Sequence, residues 1–170
     1  MNKFSRAVLG AALLAVSGLA AASTHAGIVD AAGNSLGGGS AFDTGVFLAS
    51  GESFSVTANA SDLWDNSWTD PAYLSNANGH DNQIGTIDGL TDAFGSLVGE
   101  IGNGPLFNVG TSLDSVAASA GELKLFFFDS DAYHNTGAVH IEVSAVPEPG
   151  NFALMALALG AFALTRRRKA

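Results

Sequence analysis

Short alternating segments dominate the middle of this chain. Phe54, Val56 and Ala58 alternate with Ser53, Ser55 and Thr57, the two-residue period of a strand with one face in a core. Leu97 to Ile101, a Gly102-Asn103-Gly104-Pro105 turn and Leu106 to Val109 predict a tight strand pair. Leu123, Leu125 and Phe127 alternate with Lys124, Phe126 and Phe128; apolar residues on both faces predict a central strand. Val139, Ile141 and Val143 alternate with His140, Glu142 and Ser144 in a last strand. No segment between residues 27 and 146 has long helical periodicity, and only Thr91 to Phe94 fits a turn of helix. Short strands separated by Gly and Asn turns predict an all-β fold, a single small β-sandwich of jelly-roll type.

The two ends have a different pattern. Lys3 and Arg6 precede an apolar run from Ala7 to Ala22, and small residues lead to Thr24-His25-Ala26. This is the tripartite pattern of a secretory signal peptide, residues 1–26, cut before Gly27; a cut after Ala22 is the alternative. The Leu36 to Ser40 glycine run lacks the Lys-Ser/Thr ending of a phosphate loop, and residues 27–40 read as a flexible entry to a sandwich at 41–146. At the other end stand Pro147-Glu148-Pro149, the apolar stretch 152–164 and Arg166-Arg167-Arg168-Lys169. The prolines stop strand or helix from continuing. Thirteen apolar residues fall short of the ~20 of a usual spanning helix; with snorkelling basic side chains they form a short transmembrane helix with a cytoplasmic end.

Residues 147–170 resemble the PEP-CTERM sorting signal of exported bacterial envelope proteins, with Pro147-Glu148-Pro149, a hydrophobic helix and an Arg cluster in order. The resemblance implies an exosortase-type membrane transpeptidase that recognises and removes the tail. It also implies exopolysaccharide-associated export, passing the inner membrane on the way to the cell envelope or matrix. A permanent single-pass anchor is the other reading of the same residues.

The chain has 170 residues, no cysteine and a net charge of −9. The missing thiols exclude disulfides, thiolate metal sites and a cysteine nucleophile. Between residues 27 and 146, fifteen Asp and Glu face Lys124 alone, a charge near −14. Such an imbalance excludes nucleic acid as an expected partner. It suits solubility by self-repulsion, or a divalent cation that takes several oxygen ligands.

Asp129, Asp131, His134 and Asn135 place four candidate metal ligands within seven residues of one loop. The same loop also reads as a polar hairpin whose Asp and Asn side chains cap turns. Trp64 and Trp68, with Tyr73, stand in a polar stretch that includes Asp62, Asp65, Asp70, His80 and Asp81. An aromatic platform beside hydrogen-bonding groups suits a sugar; alternatively the tryptophans plug the end of the sandwich, and His80 reads as a surface residue. No Gly-x-Ser-x-Gly, His-Glu-x-x-His or triad order occurs, and carboxylates are too numerous to single out a glycosidase pair. No catalytic residue is assigned, and a non-enzyme is expected.

Phe42-Asp43-Thr44-Gly45-Val46, Gly51 to Ala58, Gly95 to Gly102, Phe107 to Gly110, Gly121 to Leu125, Asp129 and Asn135-Thr136-Gly137 together resemble the calcium-dependent, galactose-binding bacterial lectins. The resemblance implies a sandwich that binds carbohydrate, with the producer's own exopolysaccharide as a candidate glycan and calcium as cofactor. In that family an Asp after the penultimate strand, two Asn or Asp before a Ser/Thr-Gly, and backbone carbonyls hold the ion. Asp129 and Asn135 match this pattern. His134 departs from it, since imidazole is a softer ligand than calcium favours; Asp131 is a substitute, and a carbonyl donor falls near Trp64. A structural surface protein without ligand-binding activity is the alternative.

Overall fold

The computed structural model describes residues 23–67 and 73–146, and Ala22–Val146 forms one compact unit. Its strands run β1 (Ser23–Asp30), β2 (Phe42–Leu48), β3 (Ser53–Ala58), β4 (Trp64–Asp65), β5 (Leu74–Ser75) and β6 (Ile84–Ile87). They continue as β7 (Leu90–Ala93), β8 (Leu97–Ile101), β9 (Phe107–Asn108), β10 (Ser112–Val116), β11 (Gly121–Phe127) and β12 (Thr136–Val146). One sheet is ordered β10-β3-β12-β4-β5, with β1 also on β12; a second is ordered β2-β11-β8-β9, and β6 and β7 form a separate two-stranded sheet. All these pairings are antiparallel.

Alternation decides which face each strand buries. Phe54, Val56 and Ala58 from β3 and Val139, Ile141 and Val143 from β12 meet Leu123, Leu125 and Phe127 from β11 in one core. Ser53, Thr57, His140 and Glu142 point outward. Strand β11 is central, as its two apolar faces predict, flanked by β2 and β8. The expected pair around Gly102 to Pro105 is β8 with β9. Together these make the predicted all-β sandwich.

Two expectations are corrected. Thr91 to Phe94 is no helical turn: β7 pairs antiparallel with β6 from Ile87↔Leu90 to Ile84↔Ala93. The hairpin turns through Asp88 (φ 48°) and Gly89 (φ 85°), the positive dihedrals of a two-residue Asp-Gly turn.

Residues 27–40 are not a flexible entry. β1 runs through Gly27 to Asp30 and begins four residues earlier, at Ser23. Ala31 and Ser35 are buried, and Leu36 N–H and Phe127 N–H bond across to Phe127 O and Asn34 O at 3.1 and 2.9 Å. Backbone pairing with β11 orders a segment whose glycines alone read as loose. Among the described residues no helix is long and apolar enough to cross a membrane. The signal-peptide run to Ala22, and the tail with Pro147, Glu148, Pro149, Arg166, Arg167 and Arg168, lie outside the described residues.

Candidate functional site

Beyond Phe127 the backbone keeps its partners for two more residues. Phe128 N–H donates to Ser96 O and Gly95 N–H to Phe128 O, both at 2.9 Å. Asp129 is thereby held at the mouth of the core, only 7% exposed. Its main-chain oxygen accepts from Gly37 N–H at 2.9 Å, and its carboxylate from Ser130 N–H at 2.6 Å. Ser35 Oγ donates to Asp131 O at 2.7 Å. A Cβ on Gly37 would overlap the peptide joining Ser130 to Asp131, so only glycine lets the 31–40 segment lie against this loop.

Asn135 closes the loop from the other side. It is 4% exposed, and its Nδ2 donates to Asp131 O at 2.7 Å. Its Oδ1 is buried with no hydrogen-bond donor, a costly state for a carboxamide oxygen. Desolvation pushes the Asp129 carboxyl above its ordinary 3.8, and the charge of Asp131 adds to that; the amides of Ser130, Asn135 and Asp131 oppose it. A desolvated carboxylate and a carboxamide oxygen without a donor thus share one loop.

The other expected ligands are placed differently. Asp131 brings its main-chain oxygen into the cluster, but its carboxylate accepts from Tyr133 N–H at 3.0 Å on the exposed side, an Asx turn. The His134 ring lies edge-on to Tyr133, centroids 4.7 Å apart. Among the described residues no three His, Cys, Asp or Glu side chains gather to hold a metal by themselves. The donor set is one carboxylate, one carboxamide and carbonyl oxygens, which suits Ca²⁺ and not the softer ions. The Trp64 backbone does reach this end: Gly137 pairs with Trp64 and Thr136 with Asp65.

Trp64 itself is no sugar platform. Its side chain is 0% exposed, edge-on to Phe127 with centroids 4.6 Å apart, and Nε1–H donates to Gly95 O at 2.7 Å. An indole that buries its ring and satisfies its one donor is a core residue. Trp68 lies outside the described residues.

A groove of about 570 Å³ is lined by Tyr73, Asn76, His80, Asp81, Asn82 and Gln83 among others. His80 N–H donates to Phe94 O at 2.9 Å, the His80 ring nitrogen contacts Tyr73 O, and the Phe94 and Phe128 rings lie 5.8 Å apart. These contacts bring His80 to within a few residues of Asp129. Reading His80 alone as a surface residue missed the groove. The available signal was the density of Asn, Gln, His and Asp around one tyrosine between residues 73 and 83.

The sandwich is similar to a lectin domain. The N-terminal domain of EclA, a PllA-like lectin, superposes with a TM-score of 0.55 and 27% identity, covering 71% of this chain and 95% of that one. No protein-family model matches the chain, and none of the curated proteins compared with it matches.

Proposed function

We propose that this chain is an exported cell-envelope or matrix protein whose sandwich binds glycan non-catalytically at the 129–135 loop, with calcium bridging protein and sugar. The observation that carries the reading is the buried, donorless Asn135 Oδ1 beside the desolvated Asp129 carboxylate, in a fold similar to a lectin's. Asp129, Asn135 and loop carbonyls would hold the ion. Bound calcium would supply positive charge to the desolvated carboxylate and the donorless carboxamide oxygen, and free coordination positions for sugar hydroxyls. The groove supplies the Tyr73 ring for the apolar face of a pyranose, and the Asn76, Asn82 and Gln83 amides for its hydroxyls.

The ends give the address. Residues 1–22 carry the basic and apolar regions of a signal peptide, read by export machinery and signal peptidase. Pro147-Glu148-Pro149, the apolar stretch and Arg166-Arg167-Arg168 support recognition by an exosortase-type transpeptidase, and a destination where exopolysaccharide is the available glycan. Strand β12 separates the two functions: the loop precedes Thr136, and the tail follows Val146, about 33 Å further along at some 3.3 Å per residue.

A second reading, a surface protein without ligand, is favoured by His134 where the lectins carry Asn or Asp. Thermal unfolding in EDTA and in Ca²⁺ decides between them. A hundredfold excess over Kd stabilises by about 2.7 kcal/mol, and this shift is expected in the exported protein and absent in Asp129→Ala. No shift at millimolar Ca²⁺ leaves the structural protein.

A further inference from the structure

The sequence allows the leader to be cut after Ala22 or after Ala26, with small residues before both bonds. The fold distinguishes them. β1 begins at Ser23, and all eight of its residues are in register with β12, from Ser23↔Ala145 to Asp30↔Ala138. We infer that processing occurs at the Ala22–Ser23 bond, so that the mature chain starts on the first residue of β1. The inference rests on the export reading above.

Cutting after Ala26 would remove four of the eight pairs. The edge of β12 from Glu142 to Ala145 would then be left open, an invitation to pair with another chain. It would also remove His25, whose ring lies 6.4 Å from that of Phe42. The new α-ammonium would fall on half-buried Gly27, which packs so closely under the Phe42 ring that a Cβ would overlap it. Burying a charge against an apolar ring is unfavourable. At Ser23 the terminus is exposed. Cutting after Ala22 also puts alanine at both recognition positions, Ala20 and Ala22, the Ala-x-Ala pattern of a leader's end; the other cut puts Thr24 at the first.

The full chain expressed in an exporting Gram-negative host, followed by N-terminal sequencing and intact mass, tests this. Ser23 is the expected first residue, unchanged by Ala26→Gln, and the Ser23 product is lost in Ala22→Gln. A first residue of Gly27, or loss of processing in Ala26→Gln, overturns the placement and leaves export standing. A chain that retains Met1 overturns both.

Discussion

Trp64 and Asn135 sit in the same end of the sandwich, on chain segments joined through the β4–β12 pairing, and both are almost wholly buried. Their polar atoms fare differently. The Trp64 N–H meets Gly95 O, whereas Asn135 Oδ1 meets no donor. Buried polarity that is fully satisfied makes a residue structural; buried polarity left unsatisfied beside a desolvated carboxylate marks a place where a ligand would lower the free energy. Burial alone does not separate the two roles, and residue type misleads, because the aromatic side chain is the one that resembles a sugar platform.

Breaking the structural half should have the largest effect. Trp64→Ala empties the core around Phe127 and is expected to cost about 3–5 kcal/mol, read as a lowered midpoint of urea unfolding. Trp64→Phe should cost less, roughly 1–3 kcal/mol, because Gly95 O loses its short bond from the indole and keeps only Ser75 Oγ at 3.5 Å. In the phenylalanine variant the calcium-dependent shift should persist, which separates packing from ligand binding.

Asp129→Asn addresses the other half and should abolish the calcium shift, about 2.7 kcal/mol at a hundredfold excess, without lowering stability in EDTA. The pH dependence has a definite sign. The folded pKa of Asp129 lies above 3.8, so the metal-free folded state holds the proton more tightly than the unfolded chain. The contribution of this group is therefore largest below about 3.8 and falls as pH rises through the folded value. Calcium binding runs the other way, weakening as pH drops through that value. Thermal melts in EDTA at stepped pH, compared with Asp129→Asn, would show the difference in slope.

Gly37→Ala sharpens the comparison from the side of the supporting segment. The added methyl must displace the Ser130–Asp131 peptide, an overpacking expected to cost about 1–3 kcal/mol. It should weaken calcium binding in titration calorimetry as well. Unchanged affinity would show that the loop needs no backing from residues 31–40. The smallest effect on stability is expected of Tyr73→Ala, which should leave the calcium melt intact and lower glycan affinity roughly tenfold, about 1.4 kcal/mol, measured by glycan titration in saturating Ca²⁺.

Much of the sandwich was legible because period-two patterns register burial one residue at a time. β3, β11 and β12 are where the alternation of Phe54-Val56, Leu123-Leu125 and Val139-Val143 puts them. The β6–β7 hairpin is less legible although Asp88-Gly89 is its turn signal, because Thr91 to Phe94 taken without its partner strand fits a helical turn as well as a strand. The 27–40 stretch differs from its sequence expectation for a related reason. Glycines look loose in a list of residues, and only the approach of β11 and the 129–135 loop shows that Gly37 is there to let two backbones touch.

The linear order of residues by itself determined the fold class, the acidic character of the sandwich and the presence of Asp129 and Asn135 on one loop, because these follow from side-chain period, charge and short sequence separation. Tertiary structure alone decided that Trp64 belongs to the core, that residues 73–83 come round to the same end as Asp129, and that Asn135 Oδ1 is left without a donor. Each of those depends on which distant backbone and side-chain groups arrive at one place. Desolvation and hydrogen bonding are properties of that meeting and are carried by no residue alone.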